Sequence, residues 1–250
     1  MQRVKRKTYS GVICEQEVYF TRATGEDIKT AKPPRERFKT EEERVAHREA
    51  MARRRFVRLV NANFSPSSLY ATLTFDAAHE LHTFDEARRV RDNFVRRLKY
   101  AYPEAVICVV MGRGGLTSRI HLHTITEGIP ADEIAKRWPY GEIKRIEPLR
   151  EHCTYDGVDH GPDYTGLANY LFDHWTVEQG GHHYYITRNA RAPEVGDAVP
   201  CKRVYTEDKP PVMRGYMLVE TRSNQYGYIY YKFVKEPVKR PRGRPRKARE

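Results

Sequence analysis

Two histidines separated by a single leucine, His121 and His123 in SRIHLHTITEG (residues 118–128), first suggest chemistry in this chain. On a β-strand successive side chains alternate faces, so the two imidazoles share one face about 6.6 Å apart along the chain, while Ile120, Leu122 and Thr124 take the other. Two neutral imidazoles so placed can share a divalent cation, with an oxygen ligand from elsewhere completing the shell. The same spacing also suits a plain polar strand face, so a second element is needed. It lies in DYTGLANYLFDHWT (163–176). At roughly 100° per residue, Leu167, Ala168, Leu171, Phe172 and Trp175 fall on one arc of a helix, and Asn169, Tyr170, Asp173 and His174 on the opposite arc. Tyr170, Asp173 and His174, at i, i+3 and i+4, form one polar patch. A tyrosine phenol beside a metal-bound histidine pair can displace a 3′-oxygen from a phosphodiester in line, giving a covalent phosphotyrosine and a nicked strand held on the protein. Tyr164 is a second tyrosine nearby, but it precedes the helix proper and ranks below Tyr170.

These groups need elements to hold them. SLYATLTFD (68–76) alternates like a strand. TFDEARRVRDNFVRRLKYAYP (83–103) has Thr83 and Glu86 as a capping box, an apolar face of Ala87, Val90, Phe94 and Leu98, and Pro103 as a stop. AVICVVMGRGG (105–115) is an apolar strand ending in glycines and pairs as a hairpin with the histidine strand, which places the histidines centrally. A short helix opened by Pro130, the strand EIKRIEPL (142–149) and the tyrosine helix follow. The order β, α, β, β, α, β, α predicts an α+β fold: a ferredoxin-like (split βαβ) antiparallel sheet with helices on one face. Upstream, residues 36–64 read as a basic helix with Thr40 and Glu43 as a capping box, and 215–234 as a β-hairpin. The organisation is therefore a basic N-terminal extension (1–64), a central domain (65–177), a C-terminal extension with the hairpin (178–236) and a basic tail without regular structure (237–250).

Composition sets the partners. With 39% apolar and 31% charged residues, no stretch approaches a membrane span and no apolar segment follows the basic start as a signal peptide would require, so a bacterial cytoplasmic location and no membrane partner are expected. Four scattered cysteines without a CxxC are expected to be reduced thiols. The net charge of +12 favours a polyanion, and about half of it sits in the tail from Lys239 to Glu250, with seven basic residues against one acid. Within that tail Arg242, Gly243, Arg244 and Pro245 form an AT-hook-like core, narrow enough for the minor groove of A·T-rich duplex, with Lys239, Arg240, Arg246 and Lys247 reaching phosphates. A basic tail that binds any nucleic acid has the same composition, and either reading favours DNA. Arg113 and Arg119, flanking the glycine turn, are further candidate DNA contacts. Tyr226, Tyr228 and Tyr230 share a strand face by the period of two, suited either to stacking on unpaired bases or to a half-buried sheet. His152, His160, His182 and His183 match no standard metal spacing and are left unassigned.

In order and spacing, LYATLTFD, SRIHLH and GLANYLFDHW resemble motifs 1, 2 and 3 of the HUH superfamily of rolling-circle replication initiators, in particular the replication-associated proteins of bacterial plasmids, phages and mobile elements. The resemblance covers residues 65–177. It implies a metal-dependent single-strand DNA endonuclease and ligase using Mg²⁺ or Mn²⁺, with His121 and His123 as ligands and Tyr170 as the nucleophile that takes the 5′-phosphate and leaves a 3′-hydroxyl to prime synthesis. It also implies single-stranded or hairpin origin DNA as substrate. A host helicase and polymerase are expected as partners, since no P-loop occurs in the chain. Two positions depart from the pattern. Relatives often carry Tyr-x-x-Lys where this chain has Asp173, and many place an acidic third ligand on the strand before motif 2, where this chain has Met111. Asp173, or else Asp76 at the end of the first strand, is expected to supply the oxygen. An HUH transposase or relaxase, or a DNA-binding protein without catalysis, are the alternatives.

Overall fold

A computed structural model describes residues 1–33, 40–113, 119–174 and 184–237. The chain opens with a hairpin, β1 (Gln2–Ser10) and β2 (Ile13–Thr21), turned at Gly11. Gly11 has φ +58, and a Cβ there would lie 2.1 Å from the Asn61 carbonyl oxygen, so only glycine fits. Sequence pattern does not predict this hairpin within residues 1–64. A short turn of helix, α1 (Asp27–Thr30), leads to the basic helix α2 (Glu41–Asn63), whose Thr40 side chain accepts the Glu43 N–H as its cap.

Next come β3 (Leu69–Thr74), a 3₁₀ turn at Ala77–His79, and α3 (Phe84–Ala101), opened by the complete Thr83/Glu86 capping box. β4 (Val106–Arg113), β5 (Ile120–Glu127), α4 (Ala131–Lys136) and β6 (Ile143–Pro148) complete the β, α, β, β, α, β order. A minimal hairpin, β7 (Thr154–Tyr155) and β8 (Val158–Asp159), precedes α5 (Thr165–His174). The chain ends with three two-residue strands, β9 (Tyr185–Ile186), β10 (Glu194–Val195) and β11 (Val199–Pro200), and the expected hairpin of β12 (Tyr216–Ser223) and β13 (Ile229–Lys235).

The result is an α+β fold with antiparallel sheets. The central sheet runs β6-β3-β5-β4-β9, every neighbouring pair antiparallel, and the histidine strand β5 lies between β3 and β4. Helices cover both faces of this sheet rather than one. Ala71, Leu73, Ile107, Val109, Met111 and Leu122 pack with Phe84, Phe94 and Leu98 of α3 and Ile134 of α4. Tyr70, Cys108, Val110 and Ile125, on the alternate positions, pack with Phe56 and Val60 of α2 and Leu171 and Phe172 of α5. Sequence alone assigns α2 to a separate extension; its buried Phe56 and Val60 instead make it the second cover of the sheet.

A second antiparallel sheet runs β10-β1-β2-β13-β12, with β11 also on β1. Its middle is the pairing of β2 with β13, in register from Val18 opposite Ile229 to Ile13 opposite Val234, so the segments read as N- and C-terminal extensions share one sheet. Tyr226 and Tyr228 precede β13 and only Tyr230 lies on it; Tyr228 donates its hydroxyl to Glu17 at 2.8 Å, and Tyr230 donates to Glu15 at 2.7 Å. All four cysteines are free. Among the described residues no helix is long and apolar enough to cross a membrane.

Candidate active site

The β-pleat puts His121 and His123 on the sheet face that α2 and α5 cover. In register, His123 lies opposite Thr72 on one side and Val110 on the other, and His121 opposite Thr74 and Gly112. The two Nε2 atoms are 3.0 Å apart and the rings lie edge to face. An octahedral cation with ligands at about 2.1 Å has neighbouring ligand atoms about 3.0 Å apart, so this spacing fits a shared ion. Burial, with His121 and His174 adding to it, pushes His123 down to about 3; burial also lowers His121. Both rings are therefore neutral near pH 7, the form that ligates.

The far nitrogen of His123 is held as well. Its Nδ1 is 2.7 Å from the hydroxyl of buried Tyr70, and the Thr72 hydroxyl donates to that same Tyr70 oxygen at 3.2 Å. With Nε2 as the ligand atom, the ring proton sits on Nδ1 and Tyr70 accepts it, which fixes both tautomer and ring plane. Burial raises the Tyr70 pKa, so the phenol stays neutral. Sequence pattern assigns Tyr70 no role, yet its position two residues before Thr72, on the same face of an adjacent strand, was the available signal.

Helix α5 supplies the rest. Tyr170 is 45% exposed, its ring tilted against His174 at 3.9 Å between centroids and 6.0 Å from that of His123. His174 lies 6.0 Å from His123, and its Nδ1 is 2.8 Å from the Tyr170 carbonyl oxygen. With Nδ1–H donated there, Nε2 of His174 carries the free lone pair. Gly112 permits this approach: a Cβ there would lie 2.7 Å from the His174 carbonyl oxygen and 3.3 Å from His121 Nε2.

The oxygen ligands expected from sequence are not brought to the pair. Asp173 is turned towards α2, where its carboxylate meets Arg53 at 2.6 Å; Arg53 lowers its pKa. Asp76 caps the 3₁₀ turn, accepting the His79 backbone N–H at 3.0 Å and lying 2.8 Å from His79 Nδ1. Among the described residues no group of three or more metal-capable His, Cys, Asp or Glu side chains is assembled. Met111 cannot stand in, because its side chain is buried on the opposite face with α3; the residue beside His121 is Gly112. Tyr164 is buried, donates to the Arg150 carbonyl at 3.2 Å, and does not join the histidines.

Arg113 donates to the His82 carbonyl at 3.1 Å and lies over the Phe84 ring, while Arg119 pairs with Glu80 at 3.2 Å. Arg240, Arg242, Gly243, Arg244, Pro245, Arg246 and Lys247, like Trp175, His182 and His183, lie outside the described residues. His152 pairs with Asp159 at 2.8 Å, and His160 lies 3.7 Å from Asp163, so both belong to the β7–β8 turn and the start of α5. Comparison with protein-family models, curated proteins and solved structures finds no match for this chain.

Proposed function

We propose that this protein is a metal-dependent DNA nicking and joining enzyme that cleaves one strand through Tyr170 and initiates rolling-circle replication. The observation that carries the reading is the pair of neutral imidazoles with Nε2 atoms 3.0 Å apart and a half-exposed tyrosine 6.0 Å from one of them. His121 and His123 would hold Mg²⁺ or Mn²⁺, and His174, whose ring lies 6.0 Å from that of His123, would be a candidate further donor where Asp173 and Asp76 are turned away. When bound, the cation supplies charge to a non-bridging phosphate oxygen.

The residues of the chain do the rest. Tyr70 and Thr72 orient His123, and α5 aims the phenol. The Tyr170 oxygen forms a bond to phosphorus as the bond to the 3′-oxygen breaks; the proton given up by the phenol ends on the departing 3′-hydroxyl. The reverse reaction rejoins the strand. Single-stranded or hairpin origin DNA would be the substrate, A·T-rich duplex would engage the tail, and a helicase and polymerase of the host would follow the nick.

The test is a denaturing gel of labelled single-stranded DNA from the protein's own replicon with Mn²⁺. A labelled protein band that disappears in Tyr170→Phe and in His121→Ala is the expected result. DNA bound without any covalent band would overturn the reading in favour of a DNA-binding protein without catalysis. The carboxylate of Asp173, occupied by Arg53 where the resembled family often carries a lysine, and the absence of a third metal-capable side chain at the histidines among the described residues are the observations on that side.

A further inference from the structure

Strand β6 is an edge of the central sheet, so one of its sides is open. Pairing carries a row of residues on one face across three strands: His123 lies opposite Thr72, and Thr72 lies opposite Arg145. With neighbouring strands about 4.8 Å apart, the Arg145 backbone is about 10 Å from that of His123. The side chain leans towards the tyrosines. Glu147 does most to raise the Arg145 pKa, and the phenols of Tyr70 and Tyr170 are near enough to add to it.

A bulge sets a second cation beside the first. The β3–β6 register shifts between Thr72, opposite Arg145, and Leu73, opposite Ile143, which leaves Lys144 as the extra residue. Bulges re-aim side chains, and here the neighbours part. Ile143 packs into the core on the α3 face, whereas the charge of Lys144 acts on His121, adding to the larger effect of burial in lowering its pKa.

Neither cation is fully engaged. Arg145 meets Glu147 at 2.7 Å through one guanidinium nitrogen, both side chains being about half exposed, and Lys144 has no carboxylate partner among the described residues. An exposed pair is weakly held, and a guanidinium carries five donors, so Arg145 can receive a phosphate oxygen without leaving Glu147. Other positive charge at the tyrosine is lacking: α5 contains no lysine or arginine, and Arg53 is bound to Asp173 and Glu49.

We propose that Lys144 and Arg145 form an anion site on the β6 edge that holds a phosphate group beside Tyr170. The site rests on the nicking reading only for the identity of that phosphate, a phosphodiester of the cleaved strand. Cationic donors already in place where phosphate oxygens gain charge in the transition state act on rate more than on affinity.

The first measurement needs no turnover. Inorganic phosphate is titrated into the full chain labelled with ¹⁵N-arginine, and the Arg145 Nε–H signal, assigned by its loss in Arg145→Gln, is followed by NMR. Both side chains are exposed, so the variants keep the fold. A saturable shift is expected, with phosphate affinity about tenfold weaker in Lys144→Gln, the effect of losing one charged donor. A shift that does not saturate, or one unchanged in Lys144→Gln, would overturn the proposal. The second measurement is the rate of covalent adduct formation on labelled single-stranded DNA with Mn²⁺. Arg145→Gln should slow it about 100-fold, with less than tenfold change in strand affinity, and Arg145→Lys should recover most of the rate. An adduct formed at the parental rate in Arg145→Gln sinks the anion site and leaves the nicking reading standing. Saturable phosphate binding in a chain that forms no adduct at all keeps the anion site and sinks the nicking reading.

Discussion

At the level of single residues, the proposed cation site would depend on which nitrogen of each imidazole is free. Tyr70 settles that for His123, and the Tyr170 carbonyl settles it for His174. Tyr70→Phe removes the 2.7 Å hydrogen bond and leaves Nδ1 only the Thr72 hydroxyl at 3.4 Å. Mn²⁺ affinity is expected to fall about 10- to 100-fold by titration calorimetry, the usual effect of losing an outer hydrogen-bond partner of a ligand. Asp173→Ala should leave that affinity unchanged, because the carboxylate is spent on Arg53, and should cost at most about 1 kcal/mol of stability as an exposed pair. Loss of Mn²⁺ binding in Asp173→Ala would show that the carboxylate turns inward when the ion arrives. Gly112→Ala drives a methyl into the His174 carbonyl oxygen, and a melting curve should show a loss of about 1–3 kcal/mol.

At the level of elements, α5 is positioned by its neighbours more than by its own ten residues. Its first turn is tied down by Asp163, 1% exposed, whose carboxylate accepts the Thr165 N–H at 2.8 Å and meets Lys232 of β13 at 3.3 Å. The Asn61 side chain of α2 accepts the Tyr164 N–H at 2.9 Å. Lys232 thus links the second sheet to the helix that carries the candidate nucleophile. Asp163→Ala strips a buried ammonium of its carboxylate, so a loss of about 3–5 kcal/mol is expected in urea unfolding. Covalent adduct formation should fall further than stability alone explains, since the start of α5 is released.

At the level of the whole molecule, the two sheets are held together across α2 by buried charge. Arg54 meets Glu15 at 2.9 Å and Glu17 at 3.1 Å, Arg58 pairs with Glu15, and Tyr228 and Tyr230 donate to the same carboxylates. Burial by itself would raise the Glu15 carboxyl; the Arg54 and Arg58 guanidiniums outweigh it and the pKa is lowered. A folded pKa below the unfolded value gives stability that is present above about pH 4.5 and is lost as pH falls through the folded pKa. Glu15→Gln should cost about 3–5 kcal/mol at pH 7, by urea titration, with the gap to the parent closing in strong acid. A gap that holds constant with pH would mean that the pair contributes shape rather than charge. For the intact chain, removing residues 238–250 should flatten the salt dependence of duplex binding by about 0.9 in slope for each phosphate that the tail neutralises.

Local pattern was enough for much of this protein. The alternation of β5, the Thr40 cap of α2, the capping box of α3, the β12–β13 hairpin and the opposition of Tyr170 to the apolar arc of α5 are all properties of neighbours in the chain, and local pattern reports them. Only the tertiary structure decided the rest. The first hairpin is illegible because Arg3, Lys5, Arg6 and Lys7 mark β1 as polar, while Glu15, Gln16 and Glu17 of β2 are buried. The two carboxylates, Glu15 and Glu17, are satisfied by arginines some forty residues on and tyrosines more than two hundred residues on. The same reason moved Asp173 away from the histidines and brought Tyr70 to them. A side chain's partner is set by which elements pack across the sheet, and that depends on long-range burial that no window of sequence contains.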